Sequence, residues 1–180
     1  IPALDKRGDT LEMWSAGCAS GEEAWSMALL ARQCIEKSHS QLYFGVLGSD
    51  ISSGALAKAR RATYRTSQLE DVDPQLRQRW LQPCADGYRM GPEIAERVCF
   101  VPGNLTAIDV AIQGEMDVIF CQNVLIYFNP SCRFNVLDAL VANLKPGGLL
   151  ILGAGEPAGW QHSDVSRVRF RQLGAYRRRS

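Results

Sequence analysis

The sequence predicts an α/β fold in which a doubly wound, mostly parallel sheet alternates with helices along the chain. Apolar runs of strand length alternate with stretches in which apolar residues recur at helical spacing. The first such run is joined to the first helix by a turn with two glycines, an arrangement common at nucleotide sites. The 180 residues, 46% of them hydrophobic, suffice for one domain over residues 1–180 with a core of its own.

The first strand, Leu11–Ala16, leads through Gly17 and Gly21 into a helix predicted over Glu22–Lys37. Glycines let the backbone come close to a ligand, and a helix start presents unpaired N–H groups to it. The spacing is G-x-x-x-G and lacks the third glycine of a dinucleotide fingerprint. A nucleotide site of another kind and a plain tight turn both remain open at this point.

Two acids begin this helix. Ser20 and Glu23 have the S-x-x-E spacing of a capping box, so Glu23 has a structural role available beside a ligand role. Glu22 lies outside that box and is expected to be freer to face the turn. A carboxylate here would repel a pyrophosphate but suits a ligand with hydroxyl and ammonium groups, such as S-adenosylmethionine.

A second strand is predicted at Leu42–Leu47, and Gly48-Ser49-Asp50 ends it. Asp50 is therefore expected at the carboxyl end of a parallel strand, where ligands of open sheets bind. We predict that it accepts hydrogen bonds from ribose hydroxyls. The alternative is a helix N-cap, because a helix is predicted next, at Ala55–Ala62.

Residues 64–102 are the least regular part and are predicted to form a small inserted subdomain. Asp73-Pro74 starts a short helix through Leu81, and Asp86-Gly87 indicates a turn. Tyr88–Met90 and Arg97–Val101 are candidates for short antiparallel strands. Such an insertion either meets a substrate or partner or is a plain surface excursion.

Polar residues also follow the next two strands. Val98–Val101 precedes Asn104 and Leu105, which are suited to bonding the edge of adenine and packing on the base. Met116–Cys121 is the best candidate for the central strand. The amides of Gln122-Asn123 at its end are expected to reach the cofactor.

The remaining elements complete the alternation. A helix is predicted from Pro130 to about Leu144, and Lys145–Gly148 stops it. Leu149–Leu152 is another strand. Val165–Phe170 and Gly174–Arg178 alternate enough to be a final antiparallel pair.

Composition narrows the class of protein. The net charge of +1 gives no global attraction to nucleic acid or membrane, and Arg177–Arg179 is interpreted as a solvated tail. None of the six cysteines forms C-x-x-C and the two histidines stand alone, so no metal site is predicted. Several cysteines lie in apolar runs, as buried thiols do in reduced compartments. With no signal peptide or bilayer-length apolar run, we expect a cytoplasmic protein without direct membrane insertion.

Five stretches together resemble the CheR-type chemoreceptor glutamate methyltransferases. WSAGCASGEE is similar to that family's WSAGCSTGEEPYS signature, and the other stretches follow in the family's order and spacing. They are WSAGCASGEE (14–23), GSDIS with AL-x-x-AR (48–60), FVPGNL (100–105), DVIFCQNVLIYF (117–128) and LKPGGLLILGAGE (144–156). LKPGG alone indicates only a methyltransferase, whereas the first and fourth stretches are specific to this family.

The resemblance implies a seven-stranded, Rossmann-like class I methyltransferase fold that binds S-adenosylmethionine at the strand tips and releases S-adenosylhomocysteine. The implied substrates are glutamate side chains on the cytoplasmic helices of methyl-accepting chemotaxis receptors. Tyr127, in NVLIYF, is expected near the methyl group, with packing in the core as the alternative. The implied cofactor residues are Gly17, Glu22, Glu23, Asp50, Asn104, Leu105, Gln122 and Asn123.

The chain departs from the family in three places. Gln122 stands where the family usually has arginine. Ala24 stands where it has proline, and the aromatic residue that follows is Trp25; both of these changes are expected to be tolerated. The small helical domain that the family carries before WSAGC is missing from this sequence. We therefore expect residues 1–180 alone to bind cofactor weakly and to methylate receptors poorly. A different acceptor, or a cofactor-binding signalling module without catalysis, remains an alternative function.

Overall fold

The computed structural model describes residues 10–39, 41–107, 115–153, 159–170 and 173–180. Within this part of the chain, ten strands form a seven-stranded sheet and a three-stranded sheet. The strands are β1 (Leu11–Ala16), β2 (Phe44–Asp50), β3 (Thr63–Tyr64), β4 (Leu81–Cys84), β5 (Gly87–Met90), β6 (Val98–Pro102), β7 (Met116–Cys121), β8 (Leu144–Leu152), β9 (Val165–Phe170) and β10 (Leu173–Arg178). The helices are α1 (Glu22–Lys37), α2 (Ser53–Arg61), α3 (Pro74–Trp80), α4 (Pro92–Ala95) and α5 (Pro130–Ala142).

The large sheet has the order β6-β2-β1-β7-β8-β10-β9. The first five of these strands are parallel, and β10 and β9 form the predicted antiparallel pair. The chain proceeds from β1 outward to β2 and β6, then returns to the other side of β1 with β7. This reversal makes the gap beyond β1 and β7 the switch point at which ligands of doubly wound sheets bind. The predicted fold class is confirmed.

β1 is buried on both sides because its alternate residues enter two different cores. Leu11 and Met13 pack with α1 and α2, whereas Trp14 and Ala16 pack with α5. A central strand of a parallel sheet has apolar residues on both faces for this reason.

β1, α1, β7 and β9 have the predicted bounds, and the other predicted elements shift by one to five residues at one or both ends. β2 begins at Phe44 and continues to Asp50, so Asp50 is the last residue of the strand. Lys145–Gly148 lies inside β8 because β8 pairs with β7 through a bulge near Met116–Val118. Lys145 Nζ lies 2.8 Å from Asp117 Oδ2, and this ion pair helps to hold the irregular segment against β7.

The region between α2 and β6 carries the small antiparallel sheet, in the order β3-β5-β4. The expectation that Arg97–Val101 pairs antiparallel there is wrong, since Val98–Pro102 is a parallel edge strand of the large sheet beside β2. The predicted insertion at 64–102 thus includes a strand of the main fold. Sequence periodicity failed here because a short edge strand has the same alternation in either direction of pairing.

The small sheet is attached to α1 through Trp80. Arg32 of α1 and Arg79 of α3 both lie over the Trp80 ring, 5.4 and 4.8 Å from its centroid. Both arginines also pair with Glu36, at 3.1 and 3.0 Å.

In the part of the chain that is described, no helix is long and apolar enough to cross a bilayer.

Candidate functional site

The turn after β1 is held by the end of β2. Gly17 and Gly21 have φ values of +86° and +93°, which residues with a side chain rarely adopt. The N–H groups of Gly17 and Cys18 both donate to the carbonyl of Ser49, each at 2.9 Å. A methyl group on Gly17 would lie 2.4 Å from Val124 Cγ2, so this glycine also lets the loop after β7 pack onto the turn.

Asp50 continues this support. One carboxylate oxygen accepts the Ala19 N–H at 2.9 Å, and the other accepts the Ser52 N–H at 2.8 Å. The alternative role as N-cap of α2 is wrong, because the Ser52 hydroxyl accepts from Ala55 and occupies that position. Asp50 is half-buried, and each oxygen has used one of its two acceptor directions.

The capping box predicted for α1 does not form. Gly21 is the N-cap, one residue later than expected, and no side chain caps the helix. The Ser20 hydroxyl instead donates to both oxygens of Glu22, at 2.9 and 2.8 Å. The spacing misled because Gly21, with its positive φ, takes the N-cap position and leaves Ser20 one residue outside the helix.

The two acids point to different places. Glu23 Oε1 accepts from the hydroxyl of Ser15 at 2.7 Å, and Ser15 is fully buried near the carboxyl end of β1. Glu22 is exposed and accepts a longer bond of 3.4 Å from Gln68. The half-buried carboxylate of Glu23 therefore lies beside the end of β1, whereas the exposed carboxylate of Glu22 lies against Ser20 of the turn.

Cys18 does not supply a nucleophile. Burial, with a further contribution from the nearby Asp50 carboxylate, raises the pKa of its thiol to about 12. The thiol stays protonated at neutral pH, and reactivity requires the thiolate. The expectation of buried cysteines holds for Cys18 and Cys121, whereas Cys34 and Cys99 are exposed.

Asn104 and Leu105 follow β6, the outermost parallel strand. Asn104 Oδ1 accepts from the N–H and the hydroxyl of Thr106, at 3.0 and 2.8 Å, so its amide N–H groups are the remaining bonding capacity. Leu105 is buried against the core that contains Trp14. With Thr106 it also borders a cavity of about 260 Å³ whose other wall is α5.

Gln122, Asn123 and Tyr127 follow β7, the central strand. Gln122 is half-buried, whereas Asn123 is exposed and has a φ of +58°. Tyr127 closes a short 3-10 turn at Leu125–Tyr127 and is 81% exposed, so the alternative that it packs in the core is wrong. Its neighbour Ile126 is 56% exposed.

The predicted residues thus gather at one edge of the sheet. They follow the carboxyl ends of four adjacent strands, β6, β2, β1 and β7. Sequence reasoning missed Ser15, Ser49 and Tyr64, which support this edge from within. The GSD stretch around Ser49 was a signal, but the structural importance of Ser15 and Tyr64 depends on contacts that sequence spacing does not encode.

This edge fits S-adenosylmethionine. Carboxylates at Asp50 and Glu23 suit ribose hydroxyls and an ammonium group, because both of these are donors. Amide groups at Asn104, Gln122 and Asn123 suit the edge of a base. The glycine turn places backbone at the switch point with no phosphate-binding third glycine, so the donor and acceptor set does not favour a dinucleotide.

Comparisons with known proteins agree with this assignment. Residues 2–173 match the family described as CheR methyltransferase, SAM binding domain. The chemotaxis protein methyltransferase of Escherichia coli K12 is 35% identical over 155 residues, which are 84% of this chain and 54% of that protein. Chemotaxis protein methyltransferase 2 of Vibrio cholerae is 33% identical over 171 residues, 94% of this chain and 59% of that protein. The chain therefore spans little more than half the length of these relatives.

The fold also resembles that of a solved structure with a distant sequence. A TehB-like SAM-dependent methyltransferase from Corynebacterium glutamicum aligns with a TM-score of 0.54 and 14% identity, over 99% of this chain and 86% of that one. At this identity the likeness supports the fold alone. Together with the family match over nearly its whole length, these findings show that the chain belongs to the CheR methyltransferase family and corresponds to its SAM-binding domain.

Proposed function

We propose that this protein transfers a methyl group from S-adenosylmethionine to glutamate side chains on the cytoplasmic helices of chemotaxis receptors. The observation that carries the proposal is the meeting of the glycine turn, Asp50, Asn104 and Gln122-Asn123 at one edge of the sheet. The naming of its relatives as chemotaxis protein methyltransferases supports the acceptor class. The proposal includes a cytoplasmic location, since the acceptors lie there.

Each residue at this edge has a role in holding the cofactor. Asp50 accepts from the ribose hydroxyls with the acceptor directions that Ala19 and Ser52 leave open. Glu23 binds the ammonium group, because its carboxylate is half-buried near the end of β1, whereas that of Glu22 is exposed. Asn104 donates to the adenine edge.

The bound cofactor supplies an electrophilic methyl group. The proposed acceptor is a glutamate carboxylate, whose pKa of about 4.3 leaves it ionised at neutral pH, so the protein need not supply a general base. The remaining task is to orient the acceptor and to exclude water. Tyr127 is our candidate for orienting the acceptor, because its ring and hydroxyl are exposed beside the strand ends.

A methyl-transfer assay with labelled S-adenosylmethionine and a purified receptor cytoplasmic fragment tests this function. Weak label is expected on the fragment, in keeping with the poor activity expected of residues 1–180 alone, and no label is expected on a matched fragment whose acceptor glutamates are changed to glutamine. Calorimetric titration with S-adenosylhomocysteine is run beside it. Binding without transfer to either fragment would contradict the proposed activity and favour a signalling module, and equal labelling of the two fragments would contradict the proposed acceptor.

A further inference from the structure

Tyr64 connects the small sheet to the glycine turn. Its side chain is 5% exposed, and its hydroxyl donates to the carbonyl of Ser20 at 2.9 Å. The two residues are 44 positions apart in sequence. The bond therefore joins β3, at the start of the small sheet, to the loop that follows β1.

This bond reaches a part of the turn that β2 does not hold. The first residues of the turn, Gly17 to Ala19, donate to Ser49 and Asp50 at the end of β2. Ser20 is the next residue, and its carbonyl accepts from Tyr64. Both sides of the turn are thus fixed, one by the main sheet and the other by the small sheet.

The position of Tyr64 is itself well determined. Tyr64 pairs with Tyr88 across the antiparallel β3-β5 ladder. A methyl group on Gly87 would lie 2.3 Å from the Tyr64 carbonyl oxygen, so β5 approaches this residue closely. Burial, together with the nearby Glu22 carboxylate, raises the pKa of the Tyr64 hydroxyl, and the group remains a donor at physiological pH.

A second contact follows the same route. Gln68, four residues after Tyr64, donates to Glu22 at 3.4 Å, and Glu22 also accepts from the Ser20 hydroxyl. Because this bond is long and exposed, we expect it to add little. It shows that the segment from Tyr64 to Gln68 lies along the outer side of the turn.

We propose that Tyr64 is a positioning residue that holds the glycine turn in its cofactor-binding shape and couples the small sheet to the cofactor site. The inference rests on the proposed function, because it assigns S-adenosylmethionine to this turn. A turn that is held before binding loses less conformational freedom when the ligand binds, and this raises affinity. By linkage, cofactor binding stabilises the small sheet in return.

Tyr64→Phe is the test, because it removes only the hydroxyl. The matched control is Tyr88→Phe, which lies directly opposite in the same sheet and whose hydroxyl has no hydrogen-bond partner among the described residues. Calorimetric titration with S-adenosylhomocysteine should show binding about five- to tenfold weaker for Tyr64→Phe, the size expected for one lost hydrogen bond. Tyr88→Phe should bind like the wild type.

Hydrogen exchange supplies a readout that a purely structural role would not change. In the wild type, S-adenosylhomocysteine should slow amide exchange in residues 63–69 and 87–90, and Tyr64→Phe should abolish that response. The wild-type measurement stands even where the variant fails to fold.

The outcomes separate this inference from the proposed function. Wild-type protein that does not bind S-adenosylhomocysteine overturns the function and the inference with it. Wild-type binding with an unchanged affinity of Tyr64→Phe, or with no exchange response in the small sheet, overturns the inference alone. A lower melting temperature without change in affinity also overturns the inference alone, since it shows a role in stability only.

Discussion

The loops that follow β1 and β7 meet at the switch point but are built differently. In the turn after β1, hydrogen bonds from Gly17, Cys18 and Ala19 end on β2, and the carbonyl of Ser20 is held by Tyr64. The loop after β7 instead displays Ile126 and Tyr127, which are 56% and 81% exposed. The two loops touch where Val124 packs on Gly17.

The difference suggests that the two loops have different roles in the site. A small ligand that must be held in one orientation benefits from a turn whose backbone is fixed in advance. An acceptor on another protein needs apolar and aromatic surface that stays accessible until that protein arrives. We infer that the turn after β1 serves the cofactor, together with Gln122-Asn123 at the end of β7, and that the exposed Ile126 and Tyr127 further along the loop after β7 serve the acceptor.

Gly17→Ala should break the contact between the two loops and have the largest effect. The new methyl group meets Val124 at 2.4 Å and forces a side chain into a φ of +86°. Positive φ costs about 1–2 kcal/mol and overpacking adds about 1–3 kcal/mol, so unfolding free energy should fall by about 2–5 kcal/mol. Denaturant unfolding measures this loss.

Gly147→Ala is the matched control for this change. Gly147 has a φ of +81° and nothing within 4 Å of the added methyl group, so only the backbone term of about 1–2 kcal/mol applies. Equal losses for the two variants would show that the packing of Val124 on Gly17 contributes nothing.

Asp50→Ala tests the fixed loop from the side of β2. The change removes the acceptor for the Ala19 N–H together with the proposed acceptor for the ribose. A lost hydrogen bond to a charged group costs about 1.5–3 kcal/mol, so S-adenosylhomocysteine should bind at least about tenfold more weakly in calorimetric titration. Asp73→Ala removes a carboxylate that caps α3 and should leave the affinity unchanged. An unchanged affinity for a folded Asp50→Ala would remove Asp50 from the site.

Tyr127→Phe tests the exposed loop and should separate rate from binding. Because the side chain is 81% exposed, we expect stability to change by less than about 0.5 kcal/mol and cofactor affinity to stay the same. The kcat for methyl transfer should fall by up to about tenfold if the hydroxyl orients the acceptor. Tyr43→Phe, at the opposite edge of the sheet and 59% exposed, is the control. Weaker cofactor binding with an unchanged kcat would show that Tyr127 binds the cofactor and does not orient the acceptor.

The sequence predicted the elements better than the contacts between them. Mainly apolar runs located β1 and β7 correctly, because a strand that is buried on both faces carries few polar residues, here Glu12, Ser15 and Asp117. The predicted antiparallel pairing of this edge strand was wrong, because Val98–Pro102 pairs parallel with β2. The direction of pairing depends on the path of the chain before the strand and not on the strand's own residues. The residues of the site were placed by strand ends, but the bond from Glu23 to Ser15 and that from Tyr64 to Ser20 join distant groups that no spacing rule links.

A smaller effect is expected on the pH dependence of the free energy of unfolding, through the thiol of Cys18 in the fixed turn. The folded protein raises the pKa of this thiol to about 12, whereas an unfolded thiol titrates near about 8.5. Its contribution to stability is therefore fully present below about pH 8.5 and is lost as pH rises toward 12, because only the unfolded chain releases the proton in that range. At about pH 9 the loss should be about 1 kcal/mol, and Cys18→Ala should lack it. Urea unfolding of the wild type and of Cys18→Ala between about pH 7 and 9.5 measures this. The free energy of unfolding of the wild type should fall relative to that of Cys18→Ala as pH rises. Parallel pH profiles would show that Cys18 ionises as readily in the fold as outside it, and that this part of the turn is open to water.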